Sequence, residues 1–203
     1  MKISIVLLLA LSGLGGAALA ASETFDFKDP KGVNNAVFKL DAPLEALSGN
    51  ATGVSGTVSF DPANPATIRG KIVVATSSMR VGNPMQQQHM LSDKWMDAAK
   101  YPEISFEAKG LKNVNTSGDT TTADLTGTFT LKGTSKEMTV PVKLTFLKDK
   151  LGQRVPGLKG DLLVIRSNFS ISRRDFGLMP GQMEEKVSDT IELALSIAGA
   201  SPH

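Results

Sequence analysis

The sequence predicts an all-β domain whose strands pair antiparallel in a sheet either closed or stacked, with one short helix. Three observations carry that prediction. Apolar and polar residues alternate with period two, the pattern of strands buried on one face. Eight or nine such segments follow one another, separated by Gly, Pro, Asn and Asp. No helical pattern is regularly interposed, as parallel strands would require.

In chain order, the early candidates are 24–28, 33–40, 53–60, 67–75 and 103–111. Beyond residue 120 the alternation is most regular. Leu125, Gly127, Phe129 and Leu131 share one face, opposite Thr126, Thr128, Thr130 and Lys132. After Gly133-Thr134-Ser135, Met138, Val140, Val142, Leu144 and Phe146 alternate with Thr139, Pro141, Lys143 and Thr145, which makes a hairpin. Pro141 lacks an N–H and so belongs at an edge or a bulge. Leu163, Ile165, Phe169 and Ile171 form the next apolar face, and Ile191, Leu193, Leu195 and Ile197 the last.

Residues 85–99 break the rhythm. They hold good helix formers, Leu91 and Trp95 stand four apart as on one helical face, and Tyr101-Pro102 stops the run. Asn83 fits the cap and Pro84 the first turn. The segment reads as one short helix lying across a barrel mouth.

Residues 1–20 stand apart from the domain. Lys2, the apolar run 3–11 and Ala18-Leu19-Ala20 follow the order of a cleaved signal peptide. The apolar run is shorter than the roughly 20 residues a membrane span needs. Export is therefore expected, with one domain over 21–203. The chain carries 22 basic and 20 acidic residues, and loss of Lys2 leaves a net charge of about +1, no footprint for nucleic acid. There is no cysteine, so thiolate metal sites and a cysteine nucleophile are excluded.

Catalytic patterns are also missing. The histidines, His89 and His203, have no ligand spacing, and no metal site is expected. Gly53-Val54-Ser55-Gly56 is not a nucleophile elbow. Gly49, Gly53 and Gly56 do not match a phosphate loop, and read instead as strand bends or bulges. Glu184 and Glu185 lie in a polar stretch and read as solvated.

Two stretches say more than composition does. His89 to Phe106 contains Trp95-Met96-Asp97 followed by Tyr101-Pro102-Glu103-Ile104-Ser105-Phe106, and Arg173-Arg174-Asp175-Phe176-Gly177 follows a long strand. With Phe60-Asp61-Pro62 and the hairpin 125–136, these resemble, in order, the signatures of the YceI-like family. The likeness runs from about 53 to 197. It departs from the family at Asn34-Asn35-Ala36-Val37-Phe38 and Asp41-Ala42, where histidines often stand, and at Trp95-Met96, which replaces paired phenylalanines.

The resemblance implies an eight-stranded, lipocalin-like antiparallel barrel holding a long amphiphile, and no enzyme. The expected ligand is an isoprenoid quinone, polyisoprenoid or fatty-acid derivative, carried in the periplasm without stable membrane insertion. Its site would be the inward residues Phe106, Phe129, Leu131, Val142, Leu144, Phe169 and Ile171, with Met90, Leu91, Trp95 and Tyr101 from the helical segment and Arg173 facing a head group. The bland alternative for Arg173 and Arg174 is pairing with Asp175. Two other functional readings stand beside the carrier: a structural or stress-related envelope protein with a filled barrel, and an enzyme on a lipid precursor, which needs His89 close to Asp97 inside the pocket. An open strand edge would allow a homodimer.

Overall fold

The computed structural model describes residues 22–203. The signal peptide expected at 1–20 lies outside the described residues. Eleven strands form one antiparallel sheet: β1 (Glu23–Asp26), β2 (Asn35–Asp41), β3 (Ala46–Ala51), β4 (Val54–Phe60), β5 (Arg69–Ala75), β6 (Met79–Val81), β7 (Glu103–Ser117), β8 (Thr120–Leu131), β9 (Thr134–Leu147), β10 (Gly160–Ser172) and β11 (Thr190–Pro202). The sheet closes where β1 pairs with β11, Asp26 opposite Ala200.

Eleven segments make an eight-stranded barrel because the first three staves are each broken once. β1 and β2 both run along β11, and β4 and β3 pair with them in turn. β5 and β6 likewise continue one another beside β4 and β3. The result is an up-and-down meander, the topology that the period-two pattern and short turns favour.

Each break has a local cause. Between β1 and β2 the chain loops outward, and buried Asn34 stitches it back: its amide donates to the carbonyls of Phe27 (3.1 Å) and Ala198 (3.0 Å) and accepts from the Ala198 N–H (2.9 Å). Gly53 separates β3 from β4, packed so tightly on Ala75 and Ser78 that a side chain would collide with them. Gly56 sits within β4 at φ +111°, a conformation that excludes other residues without strain.

The helix is shorter than the sequence suggests. α1 covers Pro84–Leu91, with the Asn83 side chain accepting from the Met85 and Gln86 N–H groups. It ends at Ser92, and turns carry the chain to β7, so Trp95 does not share a helical face with Leu91. Asp97, at φ 47°, marks one of these turns, a conformation that would break a helix at that point. The Gln87 side chain occupies the open edge beside β6, accepting from the Val81 N–H (2.9 Å) and donating to the Met79 carbonyl (2.7 Å). A four-residue turn of helix, Leu151–Arg154, lies between β9 and β10.

Pro141 sits where the β9–β10 ladder stops. That pairing runs only from Leu147–Leu162 to Lys143–Arg166, and the Ser167 hydroxyl donates to the Pro141 carbonyl (2.6 Å) just beyond it. An imino acid with no N–H to offer belongs at such a discontinuity.

Candidate functional site: an apolar cavity in the barrel

The core divides along the barrel axis. At one end Phe25, Phe27, Val58, Phe60, Ile68 and Leu163 are buried together. At the other, Phe38, Leu40, Met79, Met96, Leu131 and Phe176 form a second cluster around the helix and the loop 173–189. A cavity of about 630 Å³ runs between the staves and reaches from the second cluster into the first. That lies within the range of small-molecule sites.

The lumen stays open because several large side chains lie along its wall. A Cβ on Gly127 would collide with the Phe106 ring, and a Cβ on Gly49 with the Phe38 ring. Each ring therefore uses the space above a glycine on the neighbouring strand instead of crossing the axis. Phe129, in edge-to-face contact with Phe169 (6.1 Å) and Phe176 (5.5 Å), is held in the same wall. Ala51, Gly70 and Ala108 supply little volume at their positions.

Of the residues expected from sequence, Phe106, Phe129, Leu131, Val142, Leu144, Phe169 and Ile171 line the cavity. So do Met90, Trp95 and Arg173 at its mouth. Leu91 instead packs against the second cluster, outside the lining. Tyr101 is also outside: its ring covers Gly133 in the β8–β9 turn, with the Lys100 ammonium 5.2 Å from its centre. Leu91 is the last residue of the helix, and the turns that follow it leave Tyr101 beside the hairpin.

Further residues complete the lining. Phe38 and Leu40 alternate with Lys39 and Asp41, so β2 carried the same signal as the later strands. Leu193 and Leu195 were legible as an inward face. Leu178 and Val187 come from the loop after β10, where no periodicity exists to find them. Asn34, at the point of departure from the family pattern, is a stitch in the wall rather than a group at the mouth.

Arg173 corrects one expectation outright. It does not pair with Asp175, which bridges to Lys136 (2.9 Å). Arg173 is fully buried, and its Nε and Nη1 donate to the carbonyls of Ser188 (3.2 Å) and Leu178 (2.7 Å), with further bonds to those of Met179 and Gln182. No carboxylate lies in ion-pair range of it among the described residues. Arg174 pairs at the surface with Glu184 (2.8 Å) and Asp189 (3.1 Å). Burial pushes the Asp189 carboxyl up, but the Ser172 hydroxyl and Arg174 outweigh it and hold the group below the usual carboxylate range.

The polar groups available for chemistry are few. His89 is exposed at the mouth and forms no ion pair with Asp97 among the described residues. Ser105 and Ser167 are buried in the lining, and the Ser167 hydroxyl is engaged by Pro141. At the opposite end of the barrel Asp149, Asp161 and His203 bring oxygen and nitrogen atoms within 4.8 Å of one another, with the Asp149 N–H bonded to Asp161 (2.6 Å).

Fold and site together define a hollow, closed antiparallel barrel with an apolar interior. The YceI-like domain model matches residues 29–198, and the chain belongs to that family. Among its relatives is a UPF0312 protein of Pseudomonas fluorescens, 30% identical over 200 residues, covering 94% of this chain and 96% of that one. A UPF0312 protein of Ectopseudomonas mendocina is 28% identical over 195 residues, covering 95% and 94%. The solved structure of Burkholderia cenocepacia BcnA superposes with a TM-score of 0.62 at 21% identity, over 81% of this chain and 94% of that one. A polyisoprenoid binding domain from Saccharophagus degradans gives 0.64 at 12% identity, over 90% and 100%.

Proposed function

We propose that this protein is a periplasmic carrier that binds an apolar or amphiphilic lipid, of isoprenoid or fatty-acid origin, inside its barrel. The observation that carries the reading is the 630 Å³ cavity walled by aliphatic and aromatic side chains. Burying a chain there is worth roughly 0.8 kcal/mol per methylene, so a tail of about ten carbons binds without a strong polar contact. Arg173 suits an amphiphile: four of its N–H groups are held by carbonyls, and a guanidinium has about five. Its positive charge is solvated by carbonyls and not neutralised, and it lies at the mouth, where it favours a polar or anionic head group.

A binding role fits this site better than catalysis. The enzyme reading needs His89 and Asp97 together inside the pocket; His89 lines the mouth but is exposed, and Asp97 is not part of the lining. The filled-barrel reading suits only the end occupied by Phe25, Phe27 and Phe60. Support for a lipid also comes from the family and from the fold shared with the Saccharophagus polyisoprenoid binding domain. The pattern of residues 1–20 supports export.

The test is organic extraction of protein purified from the periplasm without detergent, followed by mass spectrometry of extract and chain. A stoichiometric prenyl or acyl species on a chain lacking residues 1–20 is expected. An empty extract, repeated after incubation with quinones and fatty amides, overturns the carrier reading. A chain that keeps residues 1–20 overturns the released periplasmic form.

A further inference from the structure

On five staves the lining stops partway down. Val58 lines the cavity and Phe60, the next inward residue of β4, does not; Leu144 does and Phe146 does not. The same holds for Leu125 over Ala123, Ile165 over Leu163, and Leu195 over Ile197. Beneath that level Phe146 touches Phe25 edge-on (6.2 Å) and Phe60 at a tilt (6.4 Å). Phe27 seals the adjoining wall, its ring lying where a side chain on Gly199 would stand. The lumen is therefore a blind tube with an aromatic floor. It is not a channel.

We infer that this floor is a chain-length ruler, set by Phe25, Phe60 and Phe146, and that the ligand is a single-tailed lipid whose apolar chain is about twenty carbons long. The inference rests on the carrier reading. A methylene occupies about the volume of one liquid water, roughly 30 Å³, so 630 Å³ holds about twenty of them. A two-chain phospholipid, with about thirty acyl carbons, needs roughly half as much space again. Carbons beyond the limit remain at the mouth, in water, and add nothing to affinity.

Just above the floor the tube is widened by small residues. Gly70 and Ala108 face one another across the β5–β7 ladder, and both line the cavity. A larger side chain at Ala108 projects into the space that the end of the tail fills. Gly70 has φ +147° and no room for a Cβ, so Ala108 is the usable position of the pair.

The experiment measures affinity for saturated fatty acids of about ten to about thirty carbons, and for prenyl alcohols of similar span, by displacement of a fluorescent fatty acid from the delipidated protein. Each methylene should tighten binding up to about fourfold until about twenty carbons, after which the curve flattens. Ala108→Leu should move the break about three carbons shorter, and Phe60→Ala about three longer. Circular dichroism confirms that each variant is folded, and Ala108→Leu alone decides the matter if Phe60→Ala is not. Affinity that keeps rising to about thirty carbons, or a break unmoved in folded Ala108→Leu, overturns the ruler and leaves the carrier standing. No binding at any length overturns the carrier reading, and the ruler with it.

Discussion

The Arg173 guanidinium lies 5.7 Å from the centre of the Trp95 ring, and backbone carbonyls rather than carboxylates surround it. Those carbonyls belong to residues 178–188, so one cation organises the whole loop that borders the mouth. Stacking on an indole adds to the stability of a desolvated guanidinium. A carboxylate partner would have neutralised the charge; carbonyls solvate it and leave it positive.

Removing that cation should loosen the mouth. Arg173→Ala leaves buried carbonyls unpaired, and the expected loss is about 2–4 kcal/mol in urea unfolding. Arg173→Lys should recover only part of it, because an ammonium has three donors and no plane to stack. Trp95 is the sole tryptophan, so its emission should shift red in both variants as water enters.

Acid stability should be governed by Asp29, whose carboxylate is buried in the loop between β1 and β2. Burial pushes its pKa up, but the N–H groups of Asn34, Lys31 and Val33 and the Arg154 guanidinium outweigh that and hold it below the usual range. A depressed carboxylate contributes stability above its unfolded pKa and loses it as the pH falls through the folded one. Asp29→Asn should therefore melt lower than the parent at pH 7, with the gap closing below about pH 4. Melting temperatures across that range check it; a gap constant with pH would assign the effect to shape rather than charge.

Glu23 should act in the opposite direction. Burial first, and then the neighbouring Asp161 carboxylate, raise its pKa, and its Oε2 is buried without a partner. The protonated form fits this site, so its stabilisation is present at low pH and is lost as the pH rises through the folded value. Glu23→Gln removes the charge and keeps the shape. It should melt above the parent at pH 7 and level with it near pH 4. Because β1 is four residues long and closes the barrel against β11, hydrogen exchange at Phe25 and Asp26 should slow in the variant.

The sequence revealed the walls of this barrel better than its ends. Strands β8 to β10 are long and alternate in sequence, so parity alone places residues such as Phe129, Leu144 and Ile171 on the inward face, whereas β7 is interrupted by bulges after Ala108 and Lys112. The broken staves were harder. A period-two reading recognises β1 and β2 as two strands, and only the shared partner β11 shows them to be one. Parity also does not distinguish a lined cavity from a filled core: Leu144 and Phe146 have identical patterns, yet one lines the lumen and the other forms its floor. Trp95 was placed on a helix because spacing four implies a shared face, but Ser92 and the turn at Asp97 end the helix first. The chemistry of Tyr101 suits a barrel mouth, yet its ring packs over Gly133 in the β8–β9 turn, and sequence periodicity gives no sign of that contact.

Phe129 offers the most direct test of the wall itself. It packs against Phe169 and Phe176 and lines the cavity, with Lys136 directly opposite it on β9. Phe129→Asp should abolish lipid retention in whatever fraction folds, since a carboxylate in this wall, even one paired with Lys136, draws in water and the tail loses its dry surface. Phe129→Leu keeps the lumen apolar and should retain lipid, at a stability cost of about 1–2 kcal/mol for the lost ring contacts. Extraction and mass spectrometry of both variants read the result. Lipid held by a folded Phe129→Asp protein would move the binding surface away from this wall, toward the mouth formed by Met90, Trp95 and Arg173.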